Sequence, residues 1–231
     1  MEGIDWKAYY QKEPEVCDFD PANDAHEIHR CLAAWSVFPR KGVCSILDVG
    51  CGDGYFCHWI TGKLGGDRVV GLDVSEGRLA RARARYPQVE YRLGEIEHLP
   101  FDGPEFDVAT SIEILEHQTD PLVAFRELAR VARRYVVVTV PHRQVIPSVL
   151  CPHCLKTFPA SGHFHSFDAL RLRSMGQAAG LTPDRIESYS ITAGLLANVL
   201  PGTLGYAANR LLQKLKSEWR GTFLAALFWK P

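Results

Sequence analysis

The segment ILDVGCGDGYF, residues 46–56, governs how this chain is read. A short apolar run ends at Asp48 and Val49. Gly50, Gly52 and Gly54 then alternate with Cys51 and Asp53 before an apolar stretch opens at Tyr55. Glycines permit a tight turn and let a ligand approach the backbone. A turn that leads into a helix N-terminus also offers free amides to anionic or polar groups. The spacing is G-x-G-x-G, with an acid two residues before the first glycine. Dinucleotide sites ask for G-x-G-x-x-G, and a pyrophosphate gains nothing from sitting beside Asp48. A cofactor with a cationic amino group does gain. The residues therefore favour an aminoacyl nucleoside over NAD.

Outward from this turn, strand and helix patterns alternate. CSILDV (44–49), RVVGLD (68–73), VEYRL (89–93), FDVATS (106–111) and YVVVTV (135–140) read as strands. Between them lie a helix from about Tyr55, a helix over 75–86 with Ser75 as N-cap, and a helix opened by Asp120-Pro121. AHEIHRCLAAWSVF (25–38) carries Ile28, Leu32 and Trp35 on one helical face. Near-continuous apolar strands separated by helices imply a parallel sheet covered on both faces. Beyond Pro141 the order breaks. A Cys/His segment comes first, then a helix from about Asp168 to Ala179, a strand over 183–192, and a final strand over 221–229.

The motifs ILDVGCGDGYF, VVGLDVS, LGEIEHLPF, FDVATSIEILEHQTDP and VVVTVP, in that order and each at a strand end, resemble the class I S-adenosylmethionine-dependent methyltransferases. The similarity runs from about Ser45 to Val140 and leans towards the small-molecule branch that includes ubiquinone-biosynthesis C-methyltransferases. It implies a Rossmann-like, doubly wound α/β fold: a seven-stranded sheet, the last strand antiparallel, in an α/β/α sandwich. It implies one methyltransferase domain over 1–231. Within it lie a helical N-terminal cap (1–42), a cofactor-binding core (43–140), a Cys/His loop insert (141–166) and a substrate-side part (167–231) with an apolar lid over 188–212.

The resemblance also implies roles by position. Gly50, Cys51, Gly52 and Gly54 would line the amino acid end of S-adenosylmethionine. Asp48 would hold its ammonium group, directly or through water. Asp73 would take the ribose hydroxyls and Val74 would pack on the adenine. Glu95 and Ile96 would meet the adenine edge, where the family's usual residue at 95 is aspartate. Ser111 and Ile112 would end a strand beside the reactive methyl. Tyr9 or Tyr10 would cap the cofactor. If the acceptor is a hydroxyl, a general base helps; the candidates are His117, Glu113 and His142.

CPHCLKTFPASGHFH (151–165) has metal-ligand character. Cys151 and Cys154 form a tight Cys-Pro-x-Cys knuckle. His163 and His165 would complete a zinc tetrahedron, with His153 or His142 as substitutes. Such a zinc would be structural, holding a long loop over the active site. The plain alternative is a metal-free loop. The other five cysteines, at 17, 31, 44, 51 and 57, read as small buried hydrophobes.

Composition bounds the partners. The 231 residues carry a formal net charge of −1, so no global positive field draws the chain to nucleic acid. The arginines at 78, 81, 83 and 85 read as a solvated helix face. No signal-peptide core opens the chain, and the expected location is cytoplasmic. Ser188–Asn209 lacks charge but holds Pro201, Gly202 and Gly205. It reads as an apolar lid or a helix lying on a membrane surface, not a span, and points to a small-molecule or lipid-linked acceptor. A macromolecule methyltransferase is the alternative within enzymes, although SIEI (111–114) is not the Asn/Asp-Pro-Pro-aromatic motif of base methylation. A non-catalytic S-adenosylmethionine-binding protein is the alternative outside them. The oligomeric state is open.

Overall fold

The computed structural model describes residues 6–11, 24–64, 68–190 and 222–231. Most of the uncharged stretch, from 191 onward, and Cys17 lie outside the described residues. In chain order the elements begin with α1 (Trp6–Gln11), α2 (Ala25–Val37), β1 (Ser45–Val49), α3 (Tyr55–Leu64), β2 (Arg68–Asp73), α4 (Glu76–Arg85) and β3 (Glu90–Leu93). There follow β4 (Phe106–Ile112), α5 (Pro121–Val131), β5 (Ala132–Pro141), β6 (Ser148–Leu150), β7 (Thr157–Pro159), α6 (Ala169–Ala178), β8 (Thr182–Tyr189) and β9 (Phe223–Trp229).

The helix starts follow local chemistry. Asp24, Ser75, Asp120 and Asp168 each accept a backbone N–H of the first turn, and Pro121 opens α5. These caps satisfy amides that the helix itself leaves unpaired.

Seven strands form one sheet in the order β3-β2-β1-β4-β5-β9-β8. The pairs from β3 to β5 are parallel, while β9 runs antiparallel to both β5 and β8. This is the expected α/β sheet with its last strand reversed. One face is covered by α2, α3 and α4, whose Cys31, Ile60, Leu79 and Ala82 pack with Val69, Val137 and Leu227. The other is covered by α5 and α6, through Phe125, Leu128 and Leu172 against Val136, Val138 and Phe228. Because both faces are covered, the central strands β1, β2, β4 and β9 are buried along nearly their whole length.

The chain leaves β1 towards β2 and β3 on one side, then returns to place β4 on the other. That reversal opens a crevice at the carboxyl ends of β1 and β4, the position where open α/β sheets bind ligands.

Several features refine the sequence reading. Of the expected cap over 1–42, the described residues place α2 in the core, with Ala34 and Val37 buried and Phe38 buried just after it, and α1 supplies tyrosines to the crevice. The strand expected over 183–192 ends at Tyr189. The Cys/His insert contains a hairpin, β6 with β7, where a loop was read. Cys31, Cys51 and Cys57 are buried as expected, but Cys44 is exposed. Among the described residues no helix is long and apolar enough to cross a membrane.

Candidate functional site

The crevice is a cleft of about 910 Å³. Its floor is the turn after β1. Gly50 and Gly52 adopt φ of 79° and 53°, values that side chains rarely tolerate. A Cβ at Gly50 would collide with the Ile114 side chain. The amides of Gly50 and Cys51 both donate to the Leu72 carbonyl, at 2.7 and 3.0 Å. This ties the turn to the end of β2.

Asp73 ends β2 with its carboxylate fixed by the main chain. Gly52 N–H donates to Oδ2 and Ser75 N–H donates to Oδ1, each at 2.9 Å. One aspartate thus joins the glycine turn to the start of α4. Asp48 lies deeper, only 2% exposed. Thr110 Oγ1 donates to its Oδ1 at 2.6 Å, and the Cys57 thiol lies at 3.5 Å from Oδ2. Burial raises its pKa to about 6, against the opposing effect of those hydrogen bonds.

Of the residues read as cofactor contacts, Asp48, Gly50, Cys51, Gly52, Asp73, Val74, Glu95, Ile96 and Ile112 all line this cleft, as do Tyr9 and Tyr10. Gly54 and Ser111 do not. Gly54, at φ 80°, lies against Tyr91 and Ala82, where a Cβ would strike the Tyr91 hydroxyl. It seats the turn on α4 and β3. Ser111 is wholly buried within β4. Arg78 and Arg81 also line the cleft, so that helix face is not purely solvated.

A second cavity of about 440 Å³ adjoins the first. Arg30, Glu113, His117 and His163 line both. The three base candidates, Glu113, His117 and His142, therefore share one chamber. Glu113 follows β4 with φ 57°. Burial raises its pKa to about 7, opposed by the nearby Arg30 charge. Arg30 was not singled out by sequence reasoning. It donates to Glu27 Oε1 at 2.6 Å and to the Ile112 carbonyl at 3.2 Å. The only local signal was a cation on a mostly apolar helix.

His117 Nδ1 lies 2.7 Å from Tyr10 Oη and 3.2 Å from the Gly162 carbonyl. With the proton on Nδ1 the ring donates to the Gly162 carbonyl; with the proton on Nε2 it accepts from the Tyr10 hydroxyl. Burial, then the neighbouring His163, lowers the His117 pKa to about 4. The Glu116 carboxylate is fully buried and lacks a hydrogen-bond partner among the described residues, with His117 Nε2 at 4.0 Å from its Oε1; burial and Glu113 hold it well above the usual range. The donor atoms of Glu116, His117 and His163 lie within 4.8 Å of one another, a set able to hold a metal ion.

The four residues expected around one zinc are divided. Cys151 and Cys154 sit at the tip of the β6–β7 hairpin. His163 turns inward, its Nδ1 bonded to Gln144 Oε1 and its ring 4.5 Å from that of His117. His165 Nδ1 accepts from Arg171 at 3.0 Å. Each histidine has a nearer polar partner than the thiols.

A methyltransferase-domain family profile matches residues 47–138. The chain is 32% identical over 168 residues to a ubiquinone biosynthesis O-methyltransferase of Roseobacter denitrificans, covering 68% of this chain and 66% of that protein. It is 30% identical over 197 residues to a malonyl-[acyl-carrier protein] O-methyltransferase of Erwinia billingiae, covering 75% and 74%. Among related curated proteins the chain spans from 32% to 74% of the relative's own length. The fold matches an S-adenosylmethionine-dependent methyltransferase of Mesorhizobium loti with a TM-score of 0.64 at 21% identity, covering 91% of this chain and 100% of that one. With the glycine turn, the fixed Asp73 and the reversed last strand, these similarities lead to one conclusion: the chain belongs to the S-adenosylmethionine-dependent methyltransferases.

Proposed function

We propose that this enzyme methylates an oxygen nucleophile on a small-molecule or lipid-linked acceptor held in the histidine-lined chamber, with Glu113 as general base. The observation that carries the proposal is the shared wall. Glu113 and His117 border both cavities, so a group in the chamber faces the reactive end of a cofactor in the cleft.

The cleft suits S-adenosylmethionine. Asp73, fixed by two backbone amides at the end of β2, would accept from the ribose diol. The Gly50–Gly52 turn, with Cys51, would surround the amino acid end, and Asp48 would balance its ammonium charge. Val74 and Ile96 would pack on the adenine, with Glu95 at its edge and Tyr9 or Tyr10 closing the cleft. The bound cofactor supplies an electrophilic methyl group. The protein's task is to align the acceptor oxygen and remove its proton.

Glu113 suits that second task better than its neighbours. Its pKa of about 7 makes it a carboxylate basic enough to accept a hydroxyl proton near neutrality. His117, at about 4, is a weak base; it is assigned to positioning, through Tyr10 and Gly162. His142 lies on the chamber wall as a reserve candidate. An oxygen acceptor is supported by the O-methyltransferase names of the relatives. The uncharged stretch supports a lipophilic acceptor and contact with a membrane surface from the cytoplasmic side.

The test is transfer of labelled methyl from S-adenosylmethionine into cell extract divided into lipid, small-polar, protein and nucleic-acid fractions. Label in the lipid or small-polar fraction is expected. Label confined to protein or nucleic acid would overturn the acceptor class. Shortening 191–212 to a turn should reduce lipid labelling selectively; unchanged lipid labelling would remove the lipophilic part of the proposal.

A further inference from the structure

We infer that the Cys151–Cys154 hairpin is half of a zinc site, completed by the same hairpin of a second copy of this chain. The main chain builds the half-site without help. Ser148, Val149 and Leu150 pair with Pro159, Phe158 and Thr157. Cys151 N–H donates to the Lys156 carbonyl, and Leu155 N–H donates to the Cys151 carbonyl, both at 2.9 Å. Leu155 takes φ 54° to close the turn. Cys151 and Cys154 therefore both stand on one preformed tip, the first half-exposed and the second exposed.

Zinc in structural sites takes four ligands, and the described residues offer two here. Among the described residues no third histidine, cysteine or carboxylate completes a group with the two thiols. His163 and His165 are directed to Gln144, His117 and Arg171. A two-fold axis through the ion would bring two identical hairpins together and supply four thiolates. A redox dithiol is less well supported, because such pairs draw on a helix N-terminus and this pair sits on a hairpin.

Two independent features fit a copy of the same surface. Three of the eight exposed large hydrophobics among the described residues, Val149, Leu150 and Leu155, lie on this hairpin. Pairing would remove them from water. Four thiolates around one zinc also carry excess negative charge. Residues 142–167 contain Arg143 and Lys156 and no Asp or Glu, so each copy brings compensating charge.

The test uses the full chain titrated with Zn²⁺ alone. Binding should release protons as the thiols ionise. Metal analysis, native mass spectrometry and sedimentation should give one zinc per two chains, a dimer with zinc and a monomer with chelator. Co²⁺ in place of Zn²⁺ should show the strong thiolate charge-transfer bands of an all-sulfur site. C151S and C154S should each lose both metal and dimer while circular dichroism is unchanged. One zinc per monomeric chain would overturn the inference, since the chain would then complete its own site. So would a dimer indifferent to chelator, zinc retained by C151S, or no zinc uptake together with a Cys151–Cys154 disulfide on mild oxidation.

Discussion

Glu113 holds a left-handed backbone that glutamate adopts at a cost on the order of 1–3 kcal/mol. A glycine would relieve that strain, but it would remove the one carboxylate among the described residues that borders both cavities. The expected outcome is a kcat/KM that rises with pH and levels above about 7. Glu113→Gln should lower kcat by about 10²–10⁴-fold and abolish the rising limb; a pH–rate profile checks both, and an unaltered limb would assign the base elsewhere. Asp48 gives a second titration. Its pKa of about 6 means that affinity for the cationic cofactor should increase as pH rises through that value. Calorimetry at pH 5 and pH 7.5 should show this for the native enzyme and a flat response for Asp48→Asn. These two residues were legible in the sequence to different degrees. Asp48 and Asp73 stand at strand ends next to the glycines, so a few neighbouring letters carry their context. Glu113 was one of three candidates, because its basicity depends on burial. Arg30 was invisible, since the Ile112 carbonyl it meets lies 82 positions away.

At the scale of elements, legibility followed burial. The strands β1, β2, β4 and β5 are covered on both faces and announce themselves as apolar runs. β8 is one of the two edge strands, and its run TPDRIESY is only partly buried, so the sequence pattern places its end three residues too far. The β6–β7 pair has three residues a side, and the whole of β6 is exposed, which leaves no hydrophobic pattern to read. The packing of α6 on β9 depends on Gly176, where an added Cβ would collide with the Phe228 ring. Gly176→Ala should therefore overpack this contact and cost about 1–3 kcal/mol. Calorimetric melting should fall by roughly 2–12 °C for a chain of this size. An unchanged melting temperature would mean that α6 shifts freely on the sheet. The site lies at the carboxyl ends of β1 and β4, so cofactor affinity should persist in this variant at temperatures where it remains folded.

For the molecule as a whole, buried carboxyls set the response to pH. Folded Asp48 and Glu113 keep their protons up to about 6 and about 7, whereas in the unfolded chain such groups release them near pH 4. Between those limits the folded carboxyls bind more protons, so their contribution to the stability of the cofactor-free enzyme should be lost as pH rises from about 4 to about 7, while His117, held at about 4, adds stability over the same rise. Urea unfolding of the native chain and of Glu113→Gln at pH 5 and pH 8 separates the two; an equal pH response in both would show that Glu113 ionises without penalty. The position of β9 has a further consequence for how the chain is made. β9 lies between β5 and β8, with Leu224 to Phe228 buried, yet both of those strands precede it in sequence. Roughly 80 residues separate the end of β5 from the start of β9, about 4–16 s of synthesis at about 5–20 residues per second. For that interval the nascent chain presents VVVTV as an open, sticky edge. A ribosome-associated chaperone should find its footing there, and stalling translation before Phe223 should leave a product that aggregates.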